Sequence, residues 1–440
     1  MVTQNQANLI KNMDDIAINE RRSYILDILQ HAFYDLDPAN IIQRSDKIAC
    51  LLPGGIEKIY VAGIGKAAEK MYAGISSRFG NIIEKALIII PDDDPVSIQD
   101  ERLQIMRGTH PFPSEKSVES GRKLLEFISK IEDGSTILFL ISGGGSAIFE
   151  VPDSRYTLND ILGLTKCLMN SGADINDLNT VRISLSAVKG GKLLNFLSGK
   201  KIFALYISDV PFDNLSYIAS GPLIPMDSVE KPSDVLRKYS CQGTDKKFMD
   251  LKYNKPVFTG DIQHLLILRN YDFVSNIASH LRKDGYPVLD LGSSIGGEVG
   301  KFSEDLVRLI RDYYAMRRKP FWFVGGGETT VNVHGKGYGG RSQQCSLMVL
   351  SQMGDNEDFL FISAGTDGID GHSEAMGGIV DSDTKKKIDE HAMRSSIDNN
   401  DSYTILSRNH SAIMSGRTGN NVSDIFVGYY AGETGRKKAD

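Results

Sequence analysis

The segment ILFLISGGGSAIFE (137–150) runs five apolar residues into Ser142, Gly143, Gly144, Gly145 and Ser146. The same order of residue types returns in FWFVGGGETT (321–330) and, shortened, in KIYVAGIGKAAEK (58–70). Glycine at the end of a buried strand permits positive φ, lets backbone close on a ligand and leaves N–H groups bare. Bare N–H groups at a strand-to-helix turn suit an anion, phosphate above all. The hydroxyls of Ser142 and Ser146 add donors. A tight turn with no ligand uses glycine too, but three such turns in one chain favour phosphate. The pattern GxxxxGK[ST] is absent, which excludes a P-loop. Gly63-Ile64-Gly65-Lys66-Ala67-Ala68 matches the dinucleotide fingerprint GxGxxG/A, with Asp92 or Asp93 as its acidic residue. Lys66 tips the reading toward phosphoryl transfer, a reaction that depends on positioning and on neutralising charge.

Other groups carry chemistry of the same kind. LNTVRISLSAVKGGKL (178–193) holds Arg182, Ser184, Ser186, Lys189 and Lys192. Arg182 and Lys189 share one face if the segment is helical, where they either grip a carboxylate or phosphate or form a solvated basic face. Asp209 closes the apolar run IFALYIS and is a general base for a hydroxyl, a ligand for Mg²⁺, or a turn cap. In VGGGETTVNVHGKGYGGRSQQ (324–344), whose alternating part 328–341 predicts a hairpin, Gly325, Gly326, Gly327 and Thr329 are read as a phosphate-binding turn, with a plain glycine-rich hairpin as the alternative. There Glu328 holds a metal ion or a ribose, and Arg341, following two glycines, is a mobile guanidinium able to reach a transferring phosphoryl group. SAGTDGIDGHSEAMGG (363–378) offers Asp367 and Asp370, a spacing that suits an oxygen-ligated Mg²⁺. His110, in GTHPFPSEKS, is read as facing the substrate.

The elements that must position these groups alternate along the chain. A helix over 19–35 stops before Asp37-Pro38. Strands at 58–62, 86–90, 136–141 and 202–208 are separated by helices near 66, across 114–130 and around 157–170. Near-continuous apolar strands between helices predict a parallel sheet covered on both faces. After 255–260 come a helix at 270–284, a strand at 287–291, a helix at 297–316 and strands at 320–324 and 359–363. The boundary falls near 250, giving domains 1–250 and 251–440, and the lysine-rich tail after 435 is read as frayed.

With 41% hydrophobic and 24% charged residues, the 440-residue chain has the composition of a globular protein of two or three domains. Its net charge of −6 argues against a nucleic-acid or anionic-membrane surface. The four cysteines stand far apart without a CxxC pair, which suits reduced thiols and a cytoplasmic location. No apolar run reaches the length of a transmembrane helix, and a signal peptide is not evident.

In order, the motifs GIGKAA, GTHPFPSEKS, SGGGSA, LNTVRISLSAVKGGKL, ISDVPFDNLSYIASGP, GGGETTVNVHGKGYGGRSQQ, AGTDGIDGHSEAMGGIVD and SGRTGNNVSD resemble those of the glycerate 2-kinase family. The resemblance spans almost the whole chain. It implies ATP-dependent phosphorylation of D-glycerate at the 2-hydroxyl with Mg²⁺, giving 2-phosphoglycerate. It also implies a Rossmann-like N-terminal domain, a smaller α/β C-terminal domain and an active site in the cleft between them. Lys66, Asp209 and Arg341 fall where the family's motifs place its catalytic groups, and SGGGSA and Lys189 align with its phosphate-binding part. The chain departs from GGRNQE at Gly339-Gly340-Arg341-Ser342-Gln343-Gln344, and Phe212 replaces a glycine in the usual SDVPGDDP. An NAD(P)H-dependent hydroxypyruvate reductase is the alternative, and a non-catalytic nucleotide-binding protein a third reading. The partners implied are small molecules, ATP and D-glycerate, with neither nucleic acid nor membrane; a homodimer is left open.

Overall fold

In the computed structural model, which describes residues 9–52, 56–226, 230–241 and 246–434, the chain divides into two units, Pro38–Leu268 and Met1–Asp37 with Arg269–Asp440. The lysine-rich tail lies outside the described residues.

Six strands build the sheet of the first unit: β1 (Ile59–Ile64), β2 (Ile83–Pro91), β3 (Leu103–Gly108), β4 (Thr136–Ile141), β5 (Lys201–Ile207) and β6 (Ile262–Leu268). All pair in parallel, in the order β3-β2-β1-β4-β5-β6. This is the doubly wound order, in which the direction of travel reverses between β1 and β4 and ligands bind beyond the carboxyl ends of the strands. β1 and β4 run in step, Ile64 beside Ile141, so their two glycine turns leave the sheet side by side. The central strands are apolar because both faces are covered: every residue of β4 is buried. At the sheet edges β3 and β6 are only partly covered. Those two edge strands escaped the sequence reading for that reason.

The second unit contains β7 (Val288–Asp290), β8 (Ile295–Glu298), β9 (Phe321–Thr330), β10 (Glu357–Gly365), β11 (Ala375–Asp381), β12 (Ala412–Met414) and β13 (Asp424–Glu433). Its sheet runs β12-β11-β10-β13-β9-β7, antiparallel from β12 to β9, while β7 and β8 lie parallel to β9. Among the described residues no helix is long and apolar enough to cross a membrane.

Three expectations need correction. The division near 250 does not hold, because β6 completes the first sheet and the N-terminal helix Glu20–Asp35 belongs to the second unit. Asn19 caps that helix by accepting the Arg22 N–H at 3.0 Å, and Phe33 meets Phe273 with ring centroids 5.1 Å apart. Arg22, fully buried, donates to Asp381 at 2.7 Å and to the His410 carbonyl at 2.6 Å. A buried guanidinium satisfied this way holds the helix to partners more than 350 residues away, which local periodicity does not reveal. The cysteines are not all reduced: Cys167 and Cys241 form a disulfide with Cα atoms 5.9 Å apart. Helices Leu158–Asn170 and Pro232–Lys238 share one apolar cluster with Cys241, which brings the two thiols together despite their 74-residue separation.

The third correction concerns the expected hairpin. β9 continues to Thr330, and residues 331–340 form no strand; instead His334 and Gly335 donate their N–H groups to Asn400 Oδ1 at 2.8 and 2.9 Å. Gly325, Gly326 and Gly327 therefore lie inside a strand, opposite Phe426, Ile425 and Asp424 of β13. Their missing side chains make room for protein. A Cβ on Gly325 would come within 2.8 Å of Ile295 and 2.9 Å of Leu291, and one on Gly326 would collide with Asn270 Oδ1. Asn270 has no freedom to retreat, since its amide donates to the carbonyls of Val422 and Asp424 at 2.7 and 2.8 Å. Gly326→Ala is expected to destabilise the protein by about 2 kcal/mol, read from the midpoint of urea unfolding at unchanged slope; an unchanged midpoint refutes this packing role.

Candidate active site

The ends of three neighbouring strands deliver the first unit's polar groups: Lys66 after β1, residues 142–146 after β4 and Asp209 after β5. The turns after β1 and β4 are clasped together. Ser142 N–H donates to the Ile64 carbonyl at 3.0 Å, Lys66 N–H to the Gly143 carbonyl at 2.9 Å, and Ala67 N–H to Ser142 Oγ at 3.0 Å. The Ser142 hydroxyl thus serves the clasp as an acceptor. Gly144 has φ +82°, and a Cβ there would stand 3.0 Å from Lys66 Cγ, so the lysine stem lies against the glycine turn. The backbone N–H groups of Gly143, Gly144, Gly145 and Ser146 find no acceptor among the described residues. Four successive bare amides beside a lysine make a cradle for a polyanion.

The far end of this turn is pinned from below. Ser146 Oγ shares a 2.8 Å hydrogen bond with Ser220 Oγ, and its carbonyl accepts from Lys189 Nζ at 2.7 Å. Lys189 also pairs with Glu150, and the two side chains are only 2% and 0% exposed. Burial pushes the lysine pKa down while the Glu150 charge pulls it back up. Lys189 is therefore a brace for the turn rather than a phosphate ligand, and it does not share a helix face with Arg182, because helix Ile175–Leu185 ends before it. Arg182 lies in the last turn of that helix. It is half-buried and has no hydrogen-bond acceptor among the described residues; burial lowers its pKa, with Glu150 opposing. Such a guanidinium suits a carboxylate.

Lys192, which had no separate role in the sequence, is a second buried cation. Burial lowers its pKa to about 8 against the charges of Asp153 and Glu150, and its ammonium has no hydrogen-bond acceptor among the described residues. Asp209 is half-buried, and the loop behind it is strained: Phe212, Asp213, Ala219 and Ser220 all hold φ between 53° and 59°. Phe212 is 86% exposed at φ 59°, a conformation that the glycine it replaces would adopt without steric cost. His110 is exposed in the bend before helix Glu115–Ser129.

In the second unit Arg341 is the first residue of helix Arg341–Gln352, not a mobile loop residue. Its Nε and Nη2 donate to the two oxygens of Asp424 at 2.7 and 3.0 Å, and Nη1 donates to Glu328. Asp424 opens β13 opposite Gly327, so β9 and β13 together hold the guanidinium. Burial pushes the Asp424 carboxyl up, and Arg341 opposes that push. Asp424 closes the motif SGRTGNNVSD, where nothing local marks it as the partner of Arg341. Asp370 is committed elsewhere: it accepts the N–H groups of Ser342 and Gln343 at 3.1 and 2.8 Å, capping the helix that carries Arg341. Gln344, where the family commonly has glutamate, uses its amide to donate to the Ile397 carbonyl at 2.9 Å, which a carboxylate does not do. Thr329 Oγ1 is buried without a partner among the described residues.

Among the described residues no three His, Cys, Asp or Glu side chains gather closely enough to hold a metal ion by themselves. Asp367, whose Oδ1 accepts the Ile369 N–H at 3.3 Å, is one oxygen donor and not a cage. This set fits an ion that arrives on a substrate's phosphates, since Mg²⁺ bound that way keeps several waters and needs only one or two protein carboxylates.

A doubly wound sheet with bare amides and a lysine at its switch point defines an α/β protein that handles a phosphorylated ligand. Residues 24–250 match the family model described as a domain of unknown function (DUF4147), and residues 321–424 match the MOFRL family. The chain is 40% identical over 424 residues to the glycerate 2-kinase of Picrophilus torridus, covering 96% of this chain and 99% of that one. It is 33% identical over 385 residues to the D-glycerate 2-kinase of Thermotoga maritima, covering 85% and 91%. The crystal structure of a glycerate kinase from Thermotoga maritima matches with a TM-score of 0.81 at 30% identity, over 92% of this chain and 98% of that one. The chain belongs to the glycerate 2-kinase family.

The brace under the glycine turn is testable. Glu150→Ala leaves the Lys189 ammonium buried without its counter-charge and is expected to cost about 3–5 kcal/mol in urea unfolding. Adding Lys189→Met should recover most of that loss. If Glu150→Ala costs less than the double variant does, the ion pair is not the brace described.

Proposed function

We propose that this chain is a glycerate 2-kinase, transferring the γ-phosphoryl group of Mg·ATP to the 2-hydroxyl of D-glycerate to give 2-phosphoglycerate and ADP. The observation that carries the reading is the run of four bare amides at 143–146 beside Lys66, at the point of the sheet where an anionic ligand is expected. Nucleotide phosphates supply the acceptors that those amides lack. Lys66 neutralises charge on the group in flight, and Arg182 and Lys192 hold the glycerate carboxylate. Asp209 takes the proton of the 2-hydroxyl as its oxygen bonds to phosphorus and the bond to the bridging oxygen of ADP breaks. In the second unit Arg341, oriented by Asp424 and Glu328, is the further cation for phosphoryl charge, and Asp367 an oxygen donor for the Mg²⁺ carried by ATP. A cytoplasmic location, where ATP is abundant, fits this reading.

Incubation with ATP, Mg²⁺, D-glycerate and enolase tests the regiochemistry. Direct formation of phosphoenolpyruvate identifies the 2-phosphate, whereas dependence on added phosphoglycerate mutase would mean attack at the 3-hydroxyl. Lys66→Ala and Arg341→Ala are each expected to lower kcat by about 10²-fold or more, with thermal unfolding showing an intact fold; near-normal turnover removes that residue from the mechanism. The pH profile tests Lys192. Its pKa, lowered to about 8, means that the ammonium of the free enzyme loses its charge as pH rises through that value. Binding of anionic glycerate then weakens, so kcat/KM for glycerate falls above pH about 8, and Lys192→Met loses that limb of the profile. A limb that survives the substitution belongs to another group.

A further inference from the structure

The second unit holds a cavity of about 830 Å³ that the kinase reading does not use. It lies at the opposite end of β9 and β13 from Arg341: Trp322 of its wall pairs with Tyr429, five positions along the ladder from Gly327 and Asp424. Four aromatic rings cluster in its wall, Tyr24, Tyr286, Trp322 and Tyr429. Trp322 is their hub, with centroid distances of 5.2 Å to Tyr429, 5.8 Å to Tyr24 and 6.3 Å to Tyr286.

Around the rings stand six carboxylates against two cations, Arg21 and Lys386. Three of the carboxylates are already matched: Asp381 by Arg22, Glu357 by Arg311 and Asp358 by Arg21. Glu20, Asp355 and Asp383 remain, all exposed; the last has only a 3.8 Å approach from Lys386. The wall therefore carries negative charge in excess of its own cations, beside ring faces that attract cations as well.

The chain itself displays the chemistry this wall accepts. Arg21 lays its guanidinium 4.0 Å above the centroid of Tyr429 while pairing with Asp358 at 2.6 Å. One unused donor accompanies the rings: the indole Nε1 of Trp322 is buried and has no acceptor among the described residues. A buried N–H without a partner is unusual in a folded protein and marks a place where an acceptor is missing.

We propose that this cavity binds a small organic cation, an ammonium or guanidinium group on an apolar body that also carries a hydrogen-bond acceptor. Its charge answers Glu20, Asp355 and Asp383, its body stacks on the exposed ring of Tyr286, and its acceptor takes up the indole N–H. The site is separate from the phosphoryl-transfer groups and does not depend on them.

Trp322 is the chain's single tryptophan, so its emission reports on this wall alone. L-argininamide, which combines a guanidinium with an amide carbonyl, is the probe. Titrating it into the full chain should change Trp322 emission saturably, beyond the effect of sodium chloride at matched ionic strength. Asp355→Asn with Asp383→Asn, or Glu20→Gln alone, should shift half-saturation to higher probe concentration, by about tenfold for the double variant. These are exposed positions, and an unchanged thermal midpoint verifies the fold. The proposal is overturned by emission that responds no more than to salt, or by half-saturation that stays the same in both variants.

Discussion

Three hydrogen bonds between the end of β1 and the end of β4 set the geometry of the first unit's site: Ser142 to Ile64, Lys66 to Gly143 and Ala67 to Ser142 Oγ. They consume the polar groups that would otherwise close the glycine turn on itself. What they leave over is a row of amides with no acceptor and a lysine whose stem lies against Gly144. The clasp depends on the equal register of the two strands, because a slip of one residue would put Lys66 opposite the wrong carbonyl. Parallel pairing deep in a covered sheet makes such a slip costly, since Ile137, Leu138, Phe139, Leu140 and Ile141 are all buried.

Both units use ion pairs to aim groups, but the two pairs differ in kind. Lys189 and Glu150 are sealed from solvent, where an ion pair adds little net stability and its value is that neither partner tolerates displacement. Arg341 is one-third exposed while Asp424 is 1% exposed, so the acid is fixed and the guanidinium is presented outward. A bidentate grip of this kind sets the plane of the guanidinium as well as its position. Asp370 adds a second constraint by capping the helix on which Arg341 stands.

Much of this was readable along the chain, and the rest was not, for a common reason. The turns after β1 and β4 are local: an apolar run followed by glycine and serine announces strand, bend and bare amides within ten residues. Gly325, Gly326 and Gly327 show the limit of that grammar. They follow an apolar run in the same way, yet they continue the strand and make space for Asn270, Leu291 and Ile295, because glycine signals close approach without saying what approaches. Partners distant in sequence left no trace. Glu150 beneath Lys189, Asp424 beneath Arg341 and Cys241 beside Cys167 are brought in by topology, and a guanidinium read as mobile is in fact held. The edge strands β3 and β6, half exposed, lacked the apolar density that made β1, β4 and β5 conspicuous.

The placement of helix Glu20–Asp35 has a consequence for how the protein is made. The chain begins in one unit, leaves it at residue 37 to build all of the other, and returns at 269. During synthesis the parallel sheet has its full set of residues first, while the opening helix must wait for Asp381, Thr384 and His410 before Arg22 finds its acceptors. Until then the Arg22 guanidinium lacks those partners. The last unit to close is the one that holds the first helix, and a nascent chain arrested short of β11 carries a cation whose carboxylate partner has not yet been made.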